Sequence, residues 1–301
     1  MTTGAALRWA TGPEGGSWHR INVGIARLLA AAVPGLEIEI VAAGGRENPE
    51  LVDRGDCGFG TTIDFVAADA LGGRAPYDRA HPNLRSIGTG WSPLPFHFAT
   101  ARSDRRTLLE ALRRPGARFG IPPRSTFDEL TFRRVMAFAG TSYDAIAAAG
   151  GAVLHADYRR LPQAFVAGDV DYFFGATSAP GDPVRELARR PAGARLAEID
   201  AVVIRHLAEA HGYGTGVIRG THYPDLTTGD LATAVMDTVF LVHRDMPAEL
   251  VRAITRALIA HRHELPAIHA SLEAFDPRRS AAASPVPLHP GAEAAYREDG
   301  R

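Results

Sequence analysis

The sequence predicts an α/β fold of two lobes, the first built from both ends of the chain and the second inserted between them. Three observations predict it. A short strand, a glycine-rich turn and an amphipathic helix follow one another through residues 11–32, TGPEGGSWHRINVGIARLLAAA. The same alternation of strand and helix continues to Ile199. The segments after Tyr213 offer no sheet of their own, so they return to the first lobe. The result is two α/β domains joined by two crossing strands, with a ligand cleft between the lobes. Lobe I takes residues 1–101 and 210–301, and lobe II takes 102–209.

In the opening unit, residues 7–10 form a strand, Gly12, Pro13, Gly15 and Gly16 the turn, and Ser17 an N-cap for the helix. Trp18, Ile21, Ile25, Leu28, Leu29 and Ala32 recur at spacings of three and four, one apolar stripe to lay on a sheet. The free amides of the first helical turn and the positive end of the helix dipole point out of the turn, which suits a bound anion. A tight turn alone would also demand the glycines, so both readings stand at this point.

Leu36, Ile38 and Ile40 alternate with Glu37 and Glu39 as a second strand, and Pro49 opens a helix just after Arg46 and Asn48. A third strand over 57–61 ends in Thr61, Thr62 and Asp64, followed by a helix over 65–71. Three strand ends thus bring small or polar groups to one sheet edge, where open parallel sheets bind ligands. A strand at 84–89 and a proline-punctuated strand over 91–101 lead out of this lobe. Lobe II alternates a helix capped by Ser103 over 107–112, a strand at 117–121, a helix at 127–138, a strand at 153–156, a helix at 161–167, a strand at 170–175 and a helix at 183–189. A strand at 237–243, a helix at 247–263 begun by Pro247 and a short C-terminal helix complete lobe I.

Composition narrows the function. With 33 basic and 34 acidic residues the formal charge is −1, which argues against a broad nucleic-acid surface. The single Cys57 excludes an internal disulfide and reads as a buried small side chain. The sequence has no run of about 18 apolar residues to span a membrane, and its start, MTTGAALRWA, does not read as a leader. A cytosolic protein, or one whose leader has been removed or left out, both fit. GxSxG, HExxH, CxxC and GxxxxGK[ST] are all missing, and His261 and His263 fall on different helix faces. No metal, cofactor or catalytic residue is expected.

Several stretches resemble the TAXI-type solute receptors of TRAP transporters, which have the type II periplasmic binding protein fold. The opening TGPEGGSWHRINVGIARLL is similar to the family's GSxGGxYYxxGxAIAxLL, and AGGRENPELVDRGDCGFGTTIDF to its GGSxxNLxxLxxGxxDxAxxQxD. NLRSIGTGWSPLPFHF resembles its hinge, and RFGIPPRSTFDELTFRRVMAFAG its VGxPGSGT helix entry. AFVAGDVDYFFGAT, GTHYP and LHPGAEAAYREDG follow in the family's order. The resemblance implies a non-catalytic, extracytoplasmic receptor, expected as a monomer. Its lobes would close over a small organic acid such as glutamate or 2-oxoglutarate and present it to TRAP membrane subunits.

The chain departs from the family pattern in two places. Arg46 stands where serine is common after GlyGly, and Pro123, Arg124 and Ser125 stand where GlySerGly is common. Each departure puts a guanidinium at an expected cleft edge, and a fork of donors suits a carboxylate. The expected ligand-binding set is therefore Arg46 and Arg124, amides around Gly15, Gly16 and Ser17, and the polar groups of Asn48, Thr61, Thr62, Ser125 and Thr126. Trp18, Trp91, Phe174 and the adjacent Gly175 would supply walls, unless the aromatics are core residues. A cytosolic sensor with the same fold is one alternative function. An enzyme acting on a small carboxylate is another.

Overall fold

The computed structural model describes residues 6–12, 14, 17–124 and 126–300, with Ser17 described by its backbone alone. The chain opens with β1 (Leu7–Thr11), α1 (Ser17–Ala32), β2 (Ile38–Ala42), α2 (Asn48–Asp53), β3 (Phe59–Ile63), α3 (Asp64–Gly72) and β4 (Leu84–Thr89). It continues with β5 (Leu94–Ala101), α4 (Leu108–Leu112), β6 (Arg118–Ile121), α5 (Phe127–Phe138), α6 (Tyr143–Ala148) and β7 (Ala152–His155). Then follow α7 (Arg160–Ala167), β8 (Tyr172–Ala176), α8 (Asp182–Glu186), β9 (Ala194–Leu196), α9 (Ala201–His211), β10 (Gly214–Ile218) and β11 (Leu231–Met236). The chain closes with β12 (Thr238–His243), α10 (Ala248–Ala260), α11 (Leu265–Ile268), α12 (Pro277–Ala282) and α13 (Pro290–Asp299).

These elements form two compact units, Met1–Pro93 with Asp237–Arg301, and Leu94–Met236. The first holds a sheet in the order β2-β1-β3-β12-β4. β1 lies parallel to β2 and β3, and β12 runs antiparallel to both β3 and β4. The C-terminal ends of β1 to β4 therefore share one edge with the start of β12, where Thr238 faces Ile63. The stripe on α1 packs as its spacing predicts: Ile21, Ile25 and Leu29 are buried with Trp9, Phe59, Ile254 and Leu258.

The second unit has a sheet in the order β10-β11-β5-β8-β6-β7, with β9 also on β5. β6 pairs in parallel with β7 and β8, and β5 runs antiparallel to β8, so the ends of β6, β7 and β8 and the start of β5 share one edge. Phe119, Phe132, Tyr172 and Phe174 fill the core beneath α5, with ring centroids 5.0–5.4 Å apart for the pairs Phe119–Phe132, Phe119–Tyr172 and Phe132–Phe174.

The structure corrects the sequence reading at three points. Crossings fall at Pro93/Leu94 and Met236/Asp237 rather than at residues 101 and 210, because β5 pairs along its length with β8, β9 and β11. The segments after Tyr213 do have a sheet: β10 and β11 extend that of the second unit, and α9 and α6 are further helices there. Thr107, not Ser103, caps α4, through a capping box with Glu110. Cys57 is buried as expected, and burial pushes its thiol up. No helix among the described residues is long and apolar enough to cross a membrane.

Candidate functional site

In the first unit the sheet edge is held by polar side chains that tie one strand end to the next. Trp9 Nε1 donates to Thr61 Oγ1 at 3.0 Å, and the Asn22 amide donates to the hydroxyls of Thr11, at 2.9 Å, and of Thr61. Asn48 Nδ2 donates to the carbonyls of Thr61 at 2.6 Å and Thr11 at 3.2 Å, bracing β1 against β3. All of these side chains are fully buried. Bonds between side chains this deeply buried are costly to lose, so they hold the edge rigid.

The loop after β2 is fixed from two sides, by Thr62 Oγ1 donating to Gly45 O at 2.7 Å and by Tyr77 Oη donating to Arg46 O at 2.8 Å. Its backbone pinned, Arg46 projects an exposed side chain that makes no ion pair among the described residues. Thus Asn48, Thr61 and Thr62, expected as ligand contacts, have their recorded hydrogen bonds inside the protein. They build the loop that presents Arg46. Trp18 is half-buried at the start of α1. Gly15, Gly16 and the side chain of Ser17 lie outside the described residues, and so does Ser125.

A half-buried carboxyl that the sequence reading did not select sits on the same edge. Asp64, the first residue of α3, accepts from Phe65 N at 2.8 Å and from Asp237 N at 3.2 Å. Burial pushes its pKa up to about 7, and the nearby Asp237 charge adds to the rise against those two N–H donors. Arg279 on α12 donates to Asp237 Oδ2 at 2.8 Å. Asp64 and Asp237 are 173 residues apart, which is why neither stood out as a pair in the sequence.

In the second unit, Arg124 follows β6, exposed and without an ion pair among the described residues. Thr126 caps α5: Glu129 N donates to its hydroxyl at 3.3 Å, and that hydroxyl donates to Pro123 O at 2.7 Å. At the end of β8, Asp128 Oδ1 accepts from Ala176 N and Tyr158 Oη, each at 2.6 Å, and burial pushes its pKa up. Tyr158 Oη lies so near Gly175 that a Cβ there would come within 2.6 Å of it, so glycine at 175 keeps the tyrosine seated.

Two expected walls are core residues. Trp91 is fully buried, stacked on Phe275 with ring centroids 3.9 Å apart and on Phe240 at 4.8 Å. Phe174 is buried between Phe96 at 5.2 Å and Phe132 at 5.4 Å. Neither has a face open to a solute. A shallow surface concavity lined by Ser103, Asp104, Arg105, Arg106 and Glu110 follows the end of β5, the opposite edge of that sheet from Arg124. No cluster of three or more metal-ligating side chains occurs among the described residues.

Each unit taken by itself therefore carries, on a pinned loop at the strand-end edge of its sheet, an arginine without an ion pair among the described residues. Such a group can hold a carboxylate by two parallel N–H donors. No curated protein sequence matches the chain. Among solved structures it is similar to MatC of Rhodopseudomonas palustris with bound malate, at 13% identity over 98% of this chain and 97% of that one, with a TM-score of 0.56. It is also similar to a protein described as the periplasmic sulfonate-binding protein SsuA of Methylobacillus flagellatus KT, at 13% identity over 98% and 84% of the two chains, with a TM-score of 0.51. Identity this low carries the fold alone: two α/β sheets in the periplasmic binding protein architecture. The sequence pattern of the NMT1-like family matches residues 9–300, nearly the whole length, and the chain belongs to that family.

Proposed function

We propose that the protein is a non-catalytic receptor of the TAXI type. It captures a small organic acid, an amino acid or a 2-oxo or dicarboxylate, by hinge closure outside the cytoplasm and delivers it to a TRAP-type membrane transporter. The observation that carries this reading is the pair of arginines. Arg46 follows β2, at the end of its sheet, and Arg124 follows β6, inside its sheet, each at a strand-to-helix turn on a braced loop and each without a carboxylate partner among the described residues. Some arginines pair, as Arg54 does with Asp56 and Arg219 with Asp230, and others do not, so the support for a carboxylate ligand comes from where Arg46 and Arg124 stand, at the strand ends of their sheets. The malate bound to MatC, a protein of the same fold, agrees with that chemistry.

A carboxylate fits better than a phosphate. A guanidinium fork takes either anion, so the preference rests on the chain having no lysine at all and no phosphate-binding loop motif. The test is a thermal-unfolding screen against organic acids, with the acid assayed afterwards. The reading expects at least one acid to raise the midpoint progressively with its concentration and to be recovered unchanged. Consumption of the acid would make the protein an enzyme, and no shift with any acid would end the reading.

A further inference from the structure

We propose that Tyr143 is the positioning residue for Arg124, a fixed aromatic platform that holds the guanidinium ready for a ligand carboxylate; the inference rests on the organic-acid reading above. The Arg124 Cζ lies over the Tyr143 ring, 4.7 Å from its centroid. An arginine stacked on a ring engages through the face of its guanidinium and leaves the in-plane N–H donors open at its edge. Those are the donors that a carboxylate takes two at a time. Stacking and ligand binding are therefore compatible on one side chain.

The platform itself is immobilised from several directions. Tyr143 Oη donates to Glu129 Oε1 at 2.8 Å, and Glu129 is buried and bonded in turn to Arg133 at 3.0 Å. His155 meets the ring edge-on at 5.5 Å, and Phe132 stacks on it at 6.4 Å. His155 Nδ1 lies 3.2 Å from Pro122 O. A carbonyl only accepts, so Nδ1 carries the proton, and the ring contact is tied back to the loop that bears Arg124. Because Thr126 anchors the same loop through Pro123, both the backbone and the side chain of Arg124 are held before a ligand arrives. A free arginine loses much rotamer freedom when it binds; one already stacked loses less, and the difference appears as affinity.

The test is calorimetric titration of the whole chain with L-malate, L-glutamate and 2-oxoglutarate, using wild type, Arg124→Ala, Tyr143→Leu, Tyr143→Phe and the Arg124→Ala/Tyr143→Leu double variant. Thermal unfolding of each variant checks the fold. Leucine fills the site without a π face, and phenylalanine keeps the face without the hydroxyl. Tyr143→Leu is expected to weaken the bound acid by about three- to tenfold, whereas Tyr143→Phe stays within about twofold of wild type. The double variant is expected to bind no more weakly than Arg124→Ala alone, the signature of a residue that acts through the arginine. If Arg124→Ala binds weakly while Tyr143→Leu binds as wild type does, this inference fails and the receptor reading stands. If wild type binds none of the acids, or Arg124→Ala binds as tightly as wild type, the reading itself fails and takes the inference with it.

Discussion

Gly291→Ala is expected to destabilise the first unit by about 3 kcal/mol, the upper part of the range for overpacking a closed site. Gly291 lies at the start of α13, where that helix crosses α10. A Cβ built there runs into the carbonyl oxygen of Ala248 and stands 2.8 Å from Arg252 N. Both are backbone atoms of α10 or its immediate contact, so no rotamer change relieves the clash and the helices must separate. Separation would loosen the buried Val251, Ile254, Ala292 and Ala295. Urea unfolding checks this, with Gly300→Ala, which meets no closer atom than one at 3.7 Å, as the control. A Gly291→Ala midpoint matching that of Gly300→Ala would show that the crossing is not close-packed.

The second large effect is pH dependence through Asp64. Its folded pKa of about 7 stands above its ordinary value of 3.8, so the unfolded chain ionises first. Stability from this group is fully present below pH 3.8 and is lost as pH rises through 7. Between roughly pH 5 and pH 8 the expected loss is about 2–3 kcal/mol, at about 1.4 kcal/mol per pH unit over the part where only the unfolded chain is ionised. Asp64→Asn removes the titration. It also gives up one acceptor for the Phe65 and Asp237 amides, a cost that does not vary with pH. Denaturant titrations of both proteins at the two pH values should thus show the variant gaining on wild type as pH rises. Parallel curves would mean that Asp64 is ionised at little cost in the fold.

Much of the fold was legible because apolar spacing records which face of an element is covered. The helix predicted at 127–138 is α5, Phe127–Phe138, and the strand predicted at 84–89 is β4, Leu84–Thr89. The misreading after Tyr213 has a physical cause. β10, GTGVI, and β11, LATAVM, are short and rich in small residues, so neither shows the alternation that marks a half-buried strand. Their sheet is set by pairing of Val235 with Pro95 and Met236 with Leu94, a long-range match that no local window contains.

The site divides in the same way. That Arg46 and Arg124 stand at strand-to-helix turns was legible because a strand followed by a turn and a helix identifies the sheet edge without any tertiary information, and the departures from the family pattern singled out the two arginines there. The groups that brace them were not. Tyr77 reaches Arg46 across 31 residues, and Tyr143 comes to Arg124 from a separate helix. The closing HisProGly of the family resemblance is structural in origin. His289 accepts from Gly291 N at 3.1 Å as the cap of α13, Pro290 occupies the first turn, and Gly291 allows the helix crossing.

The central claim, that the protein binds a small organic acid through a carboxylate held by an edge arginine, Arg46 in the first unit, is tested most directly by comparing acids with their neutral amides. Calorimetry of wild type and Arg46→Ala with glutamate against glutamine, and with malate against its diamide, is the measurement. The account predicts that wild type prefers an acid over its amide and that Arg46→Ala loses about 10- to 100-fold in affinity for that acid, the scale of a charge-assisted bidentate contact. An amide bound as tightly as its acid, with Arg46→Ala unchanged from wild type, would contradict it.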